Sequence, residues 1–362
     1  MKTPGGVLEA RPAEHARIRR SVALIDFDGR GAVHLAGPDG REFLQGLVTS
    51  DVSRLEDGQG RSAAVLTATG KVFAMLEVFR ASSDALYALL QDDGGPRVVE
   101  FLERYRFSEM VEIADLSAEL AWLSLQGPAA PAAAEAVCGA GGLEPRHFRA
   151  LPYGDLTLRV ARLDEVGVPG VHFLIRRDGG EALRAALARS AAALGGGPAS
   201  VEAWHVCRVE AGIPWMGAEL DESVLPMDAG LLGILDLAKG CYIGQEVVSR
   251  GIVQGRPNWG LWGLRGSAGS GLLPGQELRG VERNRPLARV RSVARSPVTG
   301  ELLALAFVHR EAARPGPLPL RRDDEQIEVV VEQLPFLPEA ASDPDGAVPS
   351  EASEPLATRE TA

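Results

Sequence analysis

Eight consecutive residues, Lys239-Gly240-Cys241-Tyr242-Ile243-Gly244-Gln245-Glu246, gather a cation, a thiol, an amide and a carboxylate around two glycines. Without a Cβ, the backbone at glycine can turn sharply or come close to a ligand. The thiolate is the reactive form of cysteine, and an ammonium two residues away lowers the thiol pKa where the fold makes the side chains converge. Cys241 is therefore the candidate nucleophile and Lys239 its charge partner, with Tyr242, Gly244, Gln245 and Glu246 as candidate ligand contacts around them. The competing reading of a lone cysteine is a small buried hydrophobe. Here the polar neighbours favour a site.

A second group is Trp204-His205-Val206-Cys207-Arg208-Val209-Glu210-Ala211-Gly212-Ile213-Pro214. On a helix, Trp204, Cys207, Arg208 and Ala211 share one face, and Gly212 with Pro214 is a stop signal. An indole beside a guanidinium suits a flat heteroaromatic ligand that bears carboxylates. Trp204, Arg208 and Glu210 are the candidate contacts from this segment. Periodicity alone favours the plainer alternative, a core tryptophan over an internally paired arginine.

Metal chemistry finds no support in spacing. His205 and Cys207 stand two apart, but no CxxC or HExxH accompanies them, and Cys138, Cys207 and Cys241 lack iron–sulfur ligand spacing. There is no Walker A segment and no G-x-S-x-G elbow. Asp92-Asp93 before Gly94-Gly95 reads as a solvated turn rather than an acid/base pair.

The elements that must position these residues alternate strand-like and helix-like periods without a regular βαβ repeat, which predicts an α+β class. Val98, Phe101, Leu102 and Tyr105 follow Pro96 at helical spacing, and Leu183 with Leu187 marks a second helix that Gly195-Gly196-Gly197-Pro198 ends. Ala129 to Gly142 is Ala-rich, a third helix or a linker. Past Arg250, short strands are expected at Leu261 to Leu264, Leu287 to Val293, Leu302 to His309 and Ile327 to Val331, with a turn at Ser296 to Gly300. They predict a small antiparallel barrel or sandwich. The expected organisation is residues 1–250 as α+β lobes, 251–335 as a β-barrel, and 336–362 as an acidic, Pro/Ala/Ser-rich tail that buries too little to order itself.

The 362 residues are 45% apolar with a net charge of -11 and a pI near 5.2, which argues against a protein that wraps duplex DNA. No direct nucleic-acid partner is expected, although a small anion in a local basic pocket stays open. Three widely spaced cysteines make no disulfide framework and suit a reducing compartment. Glu9, Arg11 and Glu14 precede any apolar stretch, so no signal-peptide core is read. The longest charge-free stretch, Leu120 to Ala134, is interrupted by Gln126, Gly127, Pro128 and Pro131, well short of the roughly 20 apolar residues of a membrane span. The expectation is a cytoplasmic protein with no membrane partner.

With these residues in view, the chain resembles the YgfZ-type folate-binding proteins, relatives of the aminomethyltransferase (T protein) of the glycine cleavage system. Lys239 to Glu246 matches the K-G-C-Y-x-G-Q-E signature of the YgfZ branch in full. Phe43-Leu44-Gln45-Gly46 with Thr49 and Asp51, Leu125-Gln126-Gly127-Pro128, Arg208 to Pro214 and Leu225-Pro226 look like further landmarks, covering residues 20 to 335. The resemblance implies a cloverleaf of α+β folate-binding lobes around a central channel that takes tetrahydrofolate, plus a C-terminal antiparallel β-barrel. It further implies a role in assembling or repairing iron–sulfur clusters, with iron–sulfur client or assembly proteins as partners and effects on cluster-dependent tRNA modification. In that picture Trp204 lies beside the pterin, Arg208 points toward the glutamate tail and Cys241 faces the same cavity. Another folate-contacting tryptophan of the family falls near Arg30, where this chain has no aromatic. Two alternatives remain. One is an aminomethyltransferase that moves a one-carbon unit from an aminomethyl-lipoyl carrier to tetrahydrofolate; the other is a folate-binding regulator or scaffold without turnover.

Overall fold

A computed structural model describes residues 5–254, 257–282, 284–322 and 325–337. The chain begins α1 (Pro12–Arg20), β1 (Ala23–Asp26), β2 (Ala32–Ala36), α2 (Gly40–Gln45), β3 (Gly60–Leu66), β4 (Val72–Ser82), β5 (Ala85–Leu90), α3 (Gly95–Glu103) and β6 (Glu112–Asp115). It continues β7 (Leu120–Gln126), α4 (Ala130–Cys138), β8 (Phe148–Tyr153), β9 (Leu156–Arg162), β10 (Gly170–Arg176), α5 (Arg177–Ala193), β11 (Gly197–Pro198) and α6 (Val201–Glu210). A loop-rich stretch then leads to α7 (Gln245–Gln254) and the strands β12 (Trp259–Gly266), β13 (Glu277–Gly280), β14 (Pro286–Arg295), β15 (Leu302–His309), β16 (Gly316–Arg322) and β17 (Glu325–Glu332).

Two sheets and a barrel result. One lobe is a five-stranded sheet in the order β3-β4-β5-β2-β6, and the other is six-stranded in the order β11-β1-β7-β10-β9-β8. The last six strands close antiparallel as β12-β15-β14-β13-β16-β17, so the expected α+β class and C-terminal barrel are what the chain forms. In β7, seven successive residues are buried because helices cover one face and the neighbouring lobe the other, which explains its near-continuous apolar run. In β17, Ile327, Val329 and Val331 point into the barrel while Glu328 and Val330 face out, the period of two its sequence shows.

Local signals match these elements closely. Pro96 sits in the first turn of α3 and Val98, Phe101 and Leu102 are buried, but the helix stops at Glu103, leaving Tyr105 partly exposed. The Ala-rich segment is a helix, α4, ended by Gly139 in the left-handed region at φ 67°. Phe336, expected to begin the tail, is buried over Gly263, and its N–H donates to the Glu210 carbonyl at 3.0 Å. Of the expected tail, 338–362 lies outside the described residues. Among the described residues no helix is long and apolar enough to cross a membrane.

Candidate functional site

A hollow opens between the lobes, and its walls come from well-separated parts of the chain. Ser62 on β3 and Glu77 on β4 are cross-strand partners, and Met75 lies two residues back on the same face. Gln91, just past β5, adds an amide whose Oε1 accepts the Met216 N–H at 3.0 Å. The opposite wall is Arg146 with Leu163, Asp164 and Glu165 after β9, and the third is Ile213, Pro214 and Trp215 with Leu231 and Ile234. A second hollow continues from the first through Ser62, Arg146 and Ile234 to Arg61, His147 and Asp236.

Two carboxyls in the first hollow have been driven apart in protonation. Burial pushes Glu77 up to about 7; the Arg146 guanidinium and the Ser62 hydroxyl, which donates to Oε1 and Oε2 at 2.7 and 2.9 Å, pull against it. Burial is the largest single influence on Glu165 and works against its ionised form, but the charge and hydrogen bonds of Arg30 together with His172 outweigh it and hold that carboxyl below its ordinary value. Arg30 donates to both Glu165 oxygens, at 3.0 and 2.8 Å, and through Nε to the Leu90 carbonyl at 2.9 Å. Its guanidinium carbon lies 4.4 Å from the centre of the Trp122 ring and 5.0 Å from that of Trp215. A cation thus takes the position where an aromatic was sought. His172, 3.4 Å from Glu165, is pushed down to about 4, chiefly by burial, and is neutral at physiological pH.

The residues singled out in the sequence do not all meet here. Helix α6 is buried on every side from Ala203 to Glu210. Trp204 is sealed into the core, its ring centre 5.2 Å from Phe27 and 4.8 Å from Trp215, and the indole on the hollow wall is Trp215. Arg208 is fully buried, paired with Glu219 at 2.8 Å and bonded to the Ile213 carbonyl and Ser292 Oγ. Glu210 accepts from His15 at 2.8 Å and from Arg19 at 2.8 Å. All three candidate contacts of this helix are therefore placed in structural packing rather than on the hollow. Cys207 is buried, and burial raises its thiol to about 12.

The Lys239–Glu246 segment begins three residues after Asp236, which lines the second hollow, and contributes no residue to either hollow. Cys241 is exposed and lines neither hollow. Lys239 does not turn toward it: Nζ donates to the Gln45 carbonyl and lies 5.4 Å from the centre of the Tyr242 ring. Burial brings that ammonium down to about 8, against the pull of Asp51 and Asp236. Tyr242 is buried. Gly244 sits at φ 78°, where a Cβ would come within 2.6 Å of the Thr67 carbonyl, so this glycine serves close backbone packing. Half-buried Gln245 and exposed Glu246 open α7, Glu246 pairing with Arg250 at 2.6 Å.

Sequence inspection missed Ser62, Glu77, Gln91, Arg146, Glu165 and Trp215. Glu77 did carry a signal, an acid inside the otherwise apolar run Val72 to Phe79. The lobe loops carry none.

What the hollow can hold follows from its groups. Trp215 Nε1 is buried with no partner among the described residues, so the wall keeps one orphan donor beside the acceptors Glu77 and Gln91. An aromatic wall, a carboxyl near its protonation midpoint and a rim bearing Arg61, Arg146 and His147 fit a planar nitrogen heterocycle with an anionic tail.

Comparison with known proteins agrees with this architecture. The family described as the GCVT N-terminal domain matches residues 7–239. An aminomethyltransferase of Prosthecochloris aestuarii is 29% identical over 238 residues, 65% of this chain and 66% of that protein. One from Chlorobium phaeovibrioides is 29% identical over 311 residues, 84% of each chain. In structure, the glycine cleavage system aminomethyltransferase T of Bartonella henselae superposes with a TM-score of 0.82 over 94% of this chain and 92% of that one, at 21% identity, a likeness of fold. With the family's domain matched over well more than half of its length, the chain belongs to the GCVT-domain family.

Proposed function

We propose that the protein binds tetrahydrofolate in the hollow between the lobes and serves one-carbon transfer of the aminomethyltransferase type. The observation that carries this reading is the pairing of Glu77 and Trp215 on one hollow with a basic rim. The relatives named aminomethyltransferase, alignable over most of the chain, support the same reading. Glu77 and Gln91 would accept from the N–H edge of the pterin, Trp215 would flank its ring, and Arg61, Arg146 and His147 would face the glutamate carboxylates. Bound tetrahydrofolate supplies the nitrogens that take up the one-carbon unit. The protein's own part is to orient that ring, keep water from it and exchange protons at its edge.

A second reading, YgfZ-type support of iron–sulfur cluster assembly or repair together with client or assembly proteins, is favoured by one feature. Cys241 is exposed on the segment whose order of residues matches that branch. One experiment divides the readings: titrate the purified protein with 5-formyl- and 5,10-methylene-tetrahydrofolate by calorimetry, then assay aminomethyl transfer from a lipoyl carrier. Binding with product formation supports the transferase. Binding without product, together with loss of iron–sulfur enzyme activity in cells carrying only Cys241→Ala, supports the second reading. Absence of binding overturns both.

A further inference from the structure

Three carboxyls line the first hollow, and two of them are committed to arginines, Asp164 to Arg162 and Glu165 to Arg30. Glu165 gives both oxygens to Arg30, with His172 alongside at 3.4 Å, and is a fixed negative charge. For Glu77, the side-chain donor among the described residues is Ser62 Oγ, shared between its two oxygens. A carboxylate has about four lone-pair sites, so both oxygens of Glu77 can still accept. Two parallel N–H donors are the natural complement of such a group, as in bidentate guanidinium pairs.

We infer that Glu77 is the proton-exchanging recognition group of the hollow: its two oxygens receive a heterocycle with two adjacent N–H donors, and any proton the carboxyl holds in the free protein leaves to solvent when that guest binds. This rests on the folate reading, and it adds which edge of the ring is selected and at what proton cost.

The surrounding charges explain why the exchange falls in the neutral range. From β3 comes only the Ser62 hydroxyl, with Arg61 farther along the second hollow. From the segment before β8 comes Arg146, whose cation favours the ionised form. The loop after β9 contributes Asp164, paired with Arg162 at 2.6 Å, and Glu165, whose charge opposes ionisation of Glu77. Arg30, from the β1–β2 connection, is spent on Glu165. Neutral His172 on β10 and the Gln91 amide add no charge, and Asp236 lies out on the second hollow. Burial therefore prevails, and Glu77 titrates at about 7. A guest without paired donors leaves the acid protonated; one with them favours the carboxylate and shifts the equilibrium.

The test is calorimetry with 5-formyltetrahydrofolate at several pH values, in buffers of different ionisation enthalpy, with p-aminobenzoyl-glutamate as a probe that has the tail but no pterin. From a midpoint of about 7, the dissociation constant should rise about tenfold between pH 8 and pH 6, with close to one proton released per site at the acid end and close to none at the alkaline end. The tail probe should release none. Glu77→Gln should bind more weakly with a pH-independent constant at an unchanged melting temperature. Should that variant not fold, Ser62→Ala carries the test: without the hydroxyl donor the midpoint of the affinity curve should move to higher pH while the alkaline affinity stays near wild type. Wild-type binding without proton release overturns the inference, as does a Glu77→Gln protein that keeps the pH dependence, an unmoved midpoint in Ser62→Ala, or equal proton release by the tail probe. Failure of 5-formyltetrahydrofolate to bind at any pH overturns the folate reading and this inference together.

Discussion

Replacing Arg208 by Met tells a ligand-binding arginine from a structural one. The side chain and that of its partner Glu219 are both fully buried, 2.8 Å apart. Arg208 also donates to the Ile213 carbonyl at 2.7 Å, Ser292 Oγ at 2.9 Å and His205 Nδ1 at 3.2 Å. Methionine fills much of the volume but leaves the Glu219 carboxylate buried without its cation, a loss of about 3–5 kcal/mol. At roughly 2–4 °C per kcal/mol for chains somewhat smaller than this one, the melting temperature should fall by roughly 10 °C. Adding Glu219→Gln removes the stranded charge while its amide oxygen can still accept the Trp215 N–H that Glu219 now accepts at 3.0 Å, so the double variant should recover part of the loss. Folate affinity of the double variant, measured by calorimetry well below its melting temperature, should stay near the wild-type value. If Arg208→Met melts with the wild type while folate affinity collapses, the guanidinium serves the ligand and the reasoning from burial fails.

Three further outcomes follow from the same geometry. Titrating the native protein with Ellman's reagent should label exposed Cys241 rapidly, half-buried Cys138 slowly, and Cys207, raised to about 12, only after unfolding; fast labelling of Cys207 would show that α6 is not sealed. His172 has an ordinary value of 6.5 and is held at about 4 in the fold, so only the unfolded chain takes up the proton as pH falls between those values. The fold should therefore lose about 3 kcal/mol across that window, and His172→Gln should remove that part of the pH dependence in urea-unfolding curves. Gly244→Ala should lower the melting temperature by a loss of about 1–3 kcal/mol, because φ is 78° and the new Cβ meets the Thr67 carbonyl. Equal melting of variant and wild type would show that the loop adjusts freely.

Much of the architecture is legible because local pattern and burial coincide. Leu302 to His309 reads as a strand and is β15. Strand β16 escapes because Pro317 and Pro319 argue against a strand, yet among the described residues its pairing with β13 is at Leu320 and Arg321, leaving the prolines on an open flank where a missing N–H costs little. The Trp204 and Arg208 face was correctly placed on a helix, but periodicity says which residues share a face and not what that face meets. Helix α6 packs between α1 and barrel strands β14 and β15, so each of its sides is a core side. The hollow was least legible, since its walls converge only when two sheets and two loops have packed. No spacing rule connects Glu77, Arg146, Glu165 and Trp215.

That convergence has a physical device behind it. Arg208–Glu219 ties α6 to the Trp215 loop and, through Ser292, to β14 of the barrel. Arg30–Glu165 ties the β1–β2 connection to the loop after β9 while the guanidinium stacks against Trp215. Glu210 ties α6 to His15 and Arg19 on α1, and Arg19 reaches the Val166 carbonyl, one residue beyond Glu165. Buried pairs of this kind contribute little net stability, because desolvation offsets their attraction. Misplacing one is costly, since either charge left alone in the core has no solvent to turn to. Two walls of the hollow, the loop after β9 and the Trp215 loop, are thus tied to charges on distant elements. Moving either loop away from the hollow would have to break one of these pairs. The expected consequence is a cleft whose selectivity lies in Glu77, the carboxyl that the Ser62 hydroxyl holds between the lobes.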